Sequence, residues 1–130
     1  MEKSKKYTIC IDPQFQAQKW LKAQYASSGL MISKYQDPLL RKGVEVALEM
    51  GKPVLVENIG SHVDIAFHSL LKREVLRHSN QRLIKFCRKT FKFDKGFKLM
   101  LVSNQAKPEF DERISRIAII LNFSVTLEGL

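Results

Sequence analysis

Twice in its first 51 residues the chain passes from a short apolar run, through Asp-Pro, into apolar residues at helical spacing that close on glycine. The first unit is Tyr7–Ile11, Asp12-Pro13, then Ala17, Trp20, Leu21 and Tyr25 up to Gly29. The second is Leu30–Tyr35, Asp37-Pro38, then Leu40, Val44, Ala47 and Leu48 up to Gly51. Asp is a favoured helix cap, Pro a favoured first helical residue, and Gly takes the left-handed conformation that ends a helix. Pro53–Val56 is a third apolar run without alternation, as in a strand buried on both faces. Strands interleaved with helices at this spacing require crossover connections, and hence a parallel sheet.

Further along, Val63–Leu76 reads as another helix carrying Ile65, Leu70, Leu71 and Val75. The period then changes. Ile84 and Phe86 alternate with Lys85, and Phe91 and Phe93 alternate with Lys92, which predicts two half-buried strands joined through Cys87-Arg88-Lys89. Phe97–Val102 is a fourth buried strand, Pro108–Arg113 a short helix, and Ile117–Leu121 a fifth core strand. The expected fold is α/β: a three-layer, parallel five-stranded sheet with an inserted β-hairpin, one domain over residues 1–130.

Composition narrows the function classes. With 45% apolar and 27% charged residues, the chain has the make-up of a folded domain rather than a disordered one. No apolar run approaches the roughly 20 residues that cross a bilayer, and the basic start lacks the apolar stretch and cleavage site of a signal peptide. No membrane partner is expected. Cys10 and Cys87 read as reduced strand residues, while His62, His68 and His78 show no metal-ligand spacing. His68 and His78 are expected on the solvent side of a helix or at its end. Nearly all of the +9 net charge falls between Lys72 and Lys98, where ten Lys or Arg meet only Glu74 and Asp94. The basic surface Lys85, Arg88, Lys89, Lys92 and Lys95 attracts acidic proteins or polyanions. Alternation turns Phe86, Phe91 and Phe93 inward, so a solvated hairpin is favoured and no specific nucleic acid is expected.

The loop after the first strand is where a fold of this kind binds phosphate. A working P-loop reads GxxxxGK[ST], with glycines for close backbone approach, a lysine for the outer phosphates and a hydroxyl for magnesium. Here it reads Asp12-Pro13-Gln14-Phe15-Gln16-Ala17-Gln18-Lys19-Trp20. It has no glycine, Phe15 is bulky, Asp12 repels phosphate, and Trp20 follows Lys19 where the hydroxyl belongs. An active third strand ends in two acids, whereas this one ends in Glu57-Asn58. Asn104, at the end of the fourth strand, stands where a γ-phosphate sensor would lie, and reads as a cap for the loop Gln105–Pro108. Glu109, Asp111 and Glu112 cluster on an expected exposed turn. No catalytic residue, metal site or cofactor is expected; an ATPase working through Lys19 and Glu57 has no mechanism in these residues.

The same residues carry a resemblance. Ile11-Asp12-Pro13-Gln14 with Gln16-Ala17 and Lys19-Trp20 is similar to the I-D-P-Q-x-Q-A-x-K-W signature of the dynein heavy chain family. Gly51-Lys52-Pro53-Val54-Leu55-Val56-Glu57-Asn58 is similar to that family's G-K-P-V-L-x-E-N, and Leu121-Asn122-Phe123-Ser124-Val125-Thr126 to its x-N-F-x-V-T. Gly129-Leu130 is also in place. The resemblance implies an AAA+ large subdomain of P-loop NTPase type, the fifth module of the motor ring, acting as a spacer that binds no nucleotide. It implies neighbouring AAA+ modules of the same heavy chain as partners, an indirect role in a microtubule motor assembly, and a cytoskeletal, axonemal location. A helical lid normally follows such a subdomain, so this chain reads as an excised piece. It departs from the family at Phe15, where Gly is usual, at Leu70-Leu71-Lys72-Arg73, and at Val102–Pro108, which replaces T-T-K-L-x-N-P. An alternative function is a basic binding module for an acidic protein or nucleic acid through the 82–98 hairpin.

Overall fold

A computed structural model of the chain describes residues 7–60, 63–72, 75–87, 89–92, 94, 96–105, 108–110 and 112–122. In chain order the elements are β1 (Thr8–Ile11), α1 (Gln16–Tyr25), β2 (Met31–Lys34), α2 (Leu40–Met50), β3 (Pro53–Ile59), α3 (His68–Lys72) and β4 (Val75–His78). They continue with β5 (Gln81–Phe86), β6 (Lys89–Lys92), β7 (Lys98–Ser103), α4 (Glu112–Ile117) and β8 (Ile119–Asn122). Two 3₁₀ turns, Ala26–Ser28 and Ile65–Phe67, extend α1 and precede α3.

Five strands form the expected parallel sheet in the order β2-β3-β7-β1-β8. This is an α/β fold of AAA+ type. The crossover rule explains how its helices divide between the two faces. The connection from β1 to β2 runs across the sheet in one direction, and those from β2 to β3, β3 to β7 and β7 to β8 run in the other. Right-handed crossovers therefore put α1 on one face and α2, α3 and α4 on the opposite one. Alternate sheet residues follow suit. Ile9, Val54, Val56, Leu99 and Leu101 join the large cluster under Leu40, Val44, Leu48, Leu70, Leu71 and Ile114. Cys10, Leu55, Met100 and Val102 join a smaller cluster under Ala17 and Leu21.

Several boundaries differ from the sequence reading. Neither Pro opens a helix at its first position: α1 starts at Gln16 and α2 at Leu40, each preceded by a turn that the Asp side chain organises. Of the helix expected over Val63–Leu76, the described residues form the 3₁₀ turn and α3, while Val75–His78 pairs antiparallel with β5 instead. Ser79 and Asn80, with φ of 51° and 66°, make the two-residue turn that suits the strand twist. The inserted element is thus a three-stranded antiparallel sheet, β4-β5-β6. His78 lies on an exposed strand, not at a helix end, and Cys87 lies in a turn at φ 52°, not in a strand. The short helix near Pro108 is α4, shifted to Glu112–Ile117, so Ile117 is helical and the last strand begins at Ile119. That strand is an edge, pairing with β1, which leaves Ile119 and Leu121 exposed. His62, Phe93 and Asp111 lie outside the described residues; Glu109 and Glu112 are exposed.

Trp20 requires a correction. It stands among the apolar residues at helical spacing after Asp12-Pro13, a pattern that turns it toward the sheet, yet it is 60% exposed. The buried face of α1 is Ala17, Gln18 and Leu21, and Trp20 falls on the flank of that face, beyond the small cluster beneath it.

Candidate functional site

In open α/β sheets the ligand crevice lies beyond the strands' carboxyl ends, where neighbouring strands send their connections in opposite directions. Here that place is between β1 and β7, whose following helices go to opposite faces. The loop Asp12–Phe15, the first turn of α1, Glu57 at the end of β3 and Asn104 after β7 all converge there.

Asp12 is fully buried. Its backbone N–H continues the β1–β7 pairing by donating to Ser103 O at 2.7 Å, which holds the residue at the mouth of the crevice. Its carboxylate then turns into the start of α1. Gln16 N–H donates to Oδ1 at 2.8 Å and Gln18 N–H donates to Oδ2 at 2.9 Å. Amides at a helix N-terminus lack partners within the helix and carry its positive dipole end, so they are the groups that usually receive phosphate. A carboxylate from the chain itself has taken two of them.

Phe15 precedes α1 in the left-handed conformation, with φ 61° and ψ 21°. A bulky side chain there is a steric outlier that glycine would avoid. Pro13 is half-buried, Gln14, Phe15 and Gln16 are exposed, and Lys19 and Trp20 are exposed on α1.

Gln18 ties the crevice together. Its Nε2 donates to Glu57 Oε2 at 2.6 Å, and its Oε1 accepts from Asn104 Nδ2. The orientation of the amide is forced, since a carboxylate can only accept. Lys22, one turn further on, meets the same Glu57 oxygen at 2.9 Å. Asn104 Nδ2 also donates to Asp12 O at 2.9 Å, so one side chain spans the gap between β1 and β7. Asn104 therefore points into the crevice rather than capping Gln105–Pro108; Gln105 N–H donates instead to Ser103 Oγ, at 3.4 Å.

Asn58 is not brought to this site. The β3–β7 register shifts between Val56 and Ile59, and Asn58 sits at that bulge with φ 63°. It faces Gln36 beside β2, whose Nε2 donates to Asn58 O at 3.0 Å. Gln18 and Lys22 are the two crevice residues that the sequence reading did not single out. The available signal was a polar residue beside Ala17 on the buried arc of a helix, with a lysine four residues later. Among the described residues, no group of His, Cys, Asp or Glu is placed to hold a metal ion.

The basic surface is a separate feature. Lys85, Lys89 and Lys92 are exposed, and Arg88 and Lys95 lie outside the described residues. Ile84 and Phe86 are buried, and Phe91, paired with Ile84, packs against the large cluster. No helix among the described residues is long and apolar enough to cross a membrane.

Comparison with known proteins adds to this geometry. Residues 1–130 match the family described as the ATP-binding dynein motor region. The chain is 27% identical over 128 residues to human dynein axonemal heavy chain 10, and 29% identical over 128 residues to mouse dynein axonemal heavy chain 5. It is 31% identical over 129 residues to the dynein-1-beta heavy chain of the flagellar inner arm I1 complex of Chlamydomonas reinhardtii. In each case the similarity covers 98% of this chain but 3% of the relative's length.

Proposed function

The chain belongs to the ATP-binding dynein motor region family, and from that premise we propose that it is a non-catalytic structural module of a dynein heavy chain. The module is the large subdomain of the fifth AAA+ unit, a spacer between the units on either side in a ring that drives microtubule-based movement. Its partners are the neighbouring modules of the same heavy chain, and its place is the cytoskeleton of the axoneme.

One observation carries the reading: the Asp12 carboxylate occupies the α1 amides that a phosphate would need. A triphosphate would have to displace a buried anion and then sit next to it. The rest of the crevice is committed as well. Glu57 is held by Gln18 and Lys22, leaving it ill-placed to orient a water, and Asn104 spans the β1–β7 gap. A rigid, internally bonded crevice suits a spacer that passes strain without a hydrolysis cycle.

The test is calorimetric titration of the chain with ATP and magnesium, run in parallel on Phe15→Gly. Neither protein binds at millimolar nucleotide under this reading, because restoring a glycine leaves Asp12 in place. Saturable, magnesium-dependent binding by the unaltered chain would overturn it.

A further inference from the structure

Away from the crevice, α3 and α4 face each other across a groove of about 410 Å³, lined by Ile65, Ser69, Lys72, Arg113, Arg116 and Ile117 together with His68. Its two walls differ in chemistry. Lys72 and Arg116 are exposed cations, and among the described residues no carboxylate lines the groove. Arg116 meets Glu112 at 3.4 Å, but with the two side chains 73% and 81% exposed the pair is heavily screened. The apolar wall is Ile65 and Ile117. Ile65 is 74% exposed, an unusual position for an aliphatic side chain in a well-bonded turn.

That exposure is built in by Asp64. Its Oδ1 accepts from Ala66 N–H at 3.0 Å, and its carbonyl accepts from Phe67 N–H at 2.9 Å. Asp64 N–H donates to Tyr35 Oη at 2.8 Å, and Oδ2 meets Arg41 at 3.1 Å. Phe67 is driven into the core while Ile65, two residues earlier, is held outward. A fixed exposed side chain loses little conformational freedom on binding, which favours it as an anchor.

We propose that this groove docks an acidic peptide segment. One apolar side chain of the peptide seats between Ile65 and Ile117, while flanking carboxylates meet Lys72 and Arg116. A nucleic acid would use the cations but not the isoleucines, and among the described residues no Phe, Tyr or Trp face lines the groove for bases to stack on. The charge pattern and the apolar wall together favour the peptide. This inference does not depend on the state of the nucleotide crevice.

Fluorescence anisotropy tests it on the 130-residue chain, at physiological salt. The probes are labelled peptides in which a single leucine, valine or phenylalanine is flanked on both sides by glutamates. At least one binds saturably. Ile65→Ser and Arg116→Glu each weaken it by about tenfold, a change of about 1.4 kcal/mol. Lys34→Glu, an exposed cation on β2 outside the groove, leaves it unchanged. All three positions are at the surface and melting curves check that each variant is folded; Lys72→Gln replaces Arg116→Glu if that variant is not. The proposal is overturned if none of the peptides binds, or if Lys34→Glu weakens binding as much as Arg116→Glu, which would mean diffuse attraction to net charge. Tighter, Ile65-dependent capture of single-stranded RNA would also overturn it.

Discussion

At the scale of single residues, Asp12 decides most. It is a buried charge made tolerable by two charge-assisted bonds from amides that carry a positive partial charge. Asp12→Ala removes both acceptors and leaves the amides of Gln16 and Gln18 unsatisfied. A loss of about 1–3 kcal/mol is expected, read as a lower urea midpoint at unchanged slope. Cys10 offers a second measurement. Burial first, and the Asp12 charge second, push its thiol up to about 11 from 9.0. The unfolded chain releases that proton first as pH rises, so stability is full below about pH 9 and declines between about 9 and 11. Cys10→Ala flattens that part of the profile. A stability that stays level between those pH values in the unaltered chain would contradict the burial of Cys10. The Asp12 side chain was legible as a hindrance to phosphate, but its capture by amides was not. That depends on α1 starting three residues beyond Pro13, a boundary set by the left-handed turn at Phe15.

Among the elements, the two Asp-Pro units were readable because Asp, Pro and Gly act locally on the backbone, whatever surrounds them. Gly29 and Gly51 do close their helical segments at positive φ, 77° and 69°. Gly51 also lies against the strap before β7: Asp94 N–H donates to Leu48 O at 3.2 Å, and a methyl group on Gly51 would strike the Asp94 carboxylate. Gly51→Ala should therefore cost about 1–3 kcal/mol in thermal or urea unfolding, more than an exposed alanine substitution costs. Trp20→Ala should do the reverse of what its size suggests. With the ring on the flank of α1, the loss stays below about 1 kcal/mol, and a fall in melting temperature of many degrees would mean that the indole is buried after all. Its misreading shows the limit of periodicity, which gives a helix a face but does not say how far the sheet beneath it extends. The strand β4 was hidden for a related reason: Val75–His78 declares itself only through its partner β5. Likewise, Gln18 and Glu57 are 39 residues apart and Asn104 and Asp12 are 92 apart, distances over which spacing carries no information.

For the whole molecule, the order β2-β3-β7-β1-β8 and the handedness of the crossovers together put three helices on one face and, among the described residues, α1 on the other. That asymmetry has a consequence for how the chain opens. Ten residues of helix can lift from the sheet without breaking a single strand pair, provided that the bonds to Asp12, Glu57 and Asn104 are released. Such a partial opening is a separate cooperative unit, with its own free energy below that of global unfolding. Native-state hydrogen exchange should find the amides of α1 less protected than those of α2, and Asp12→Ala should widen the gap without loosening α2. Equal protection of the two helices would mean that they open together. The one helix that covers this face among the described residues, latched by polar bonds at its first turns, is thus the part most readily given up under load, while the strands behind it keep their register.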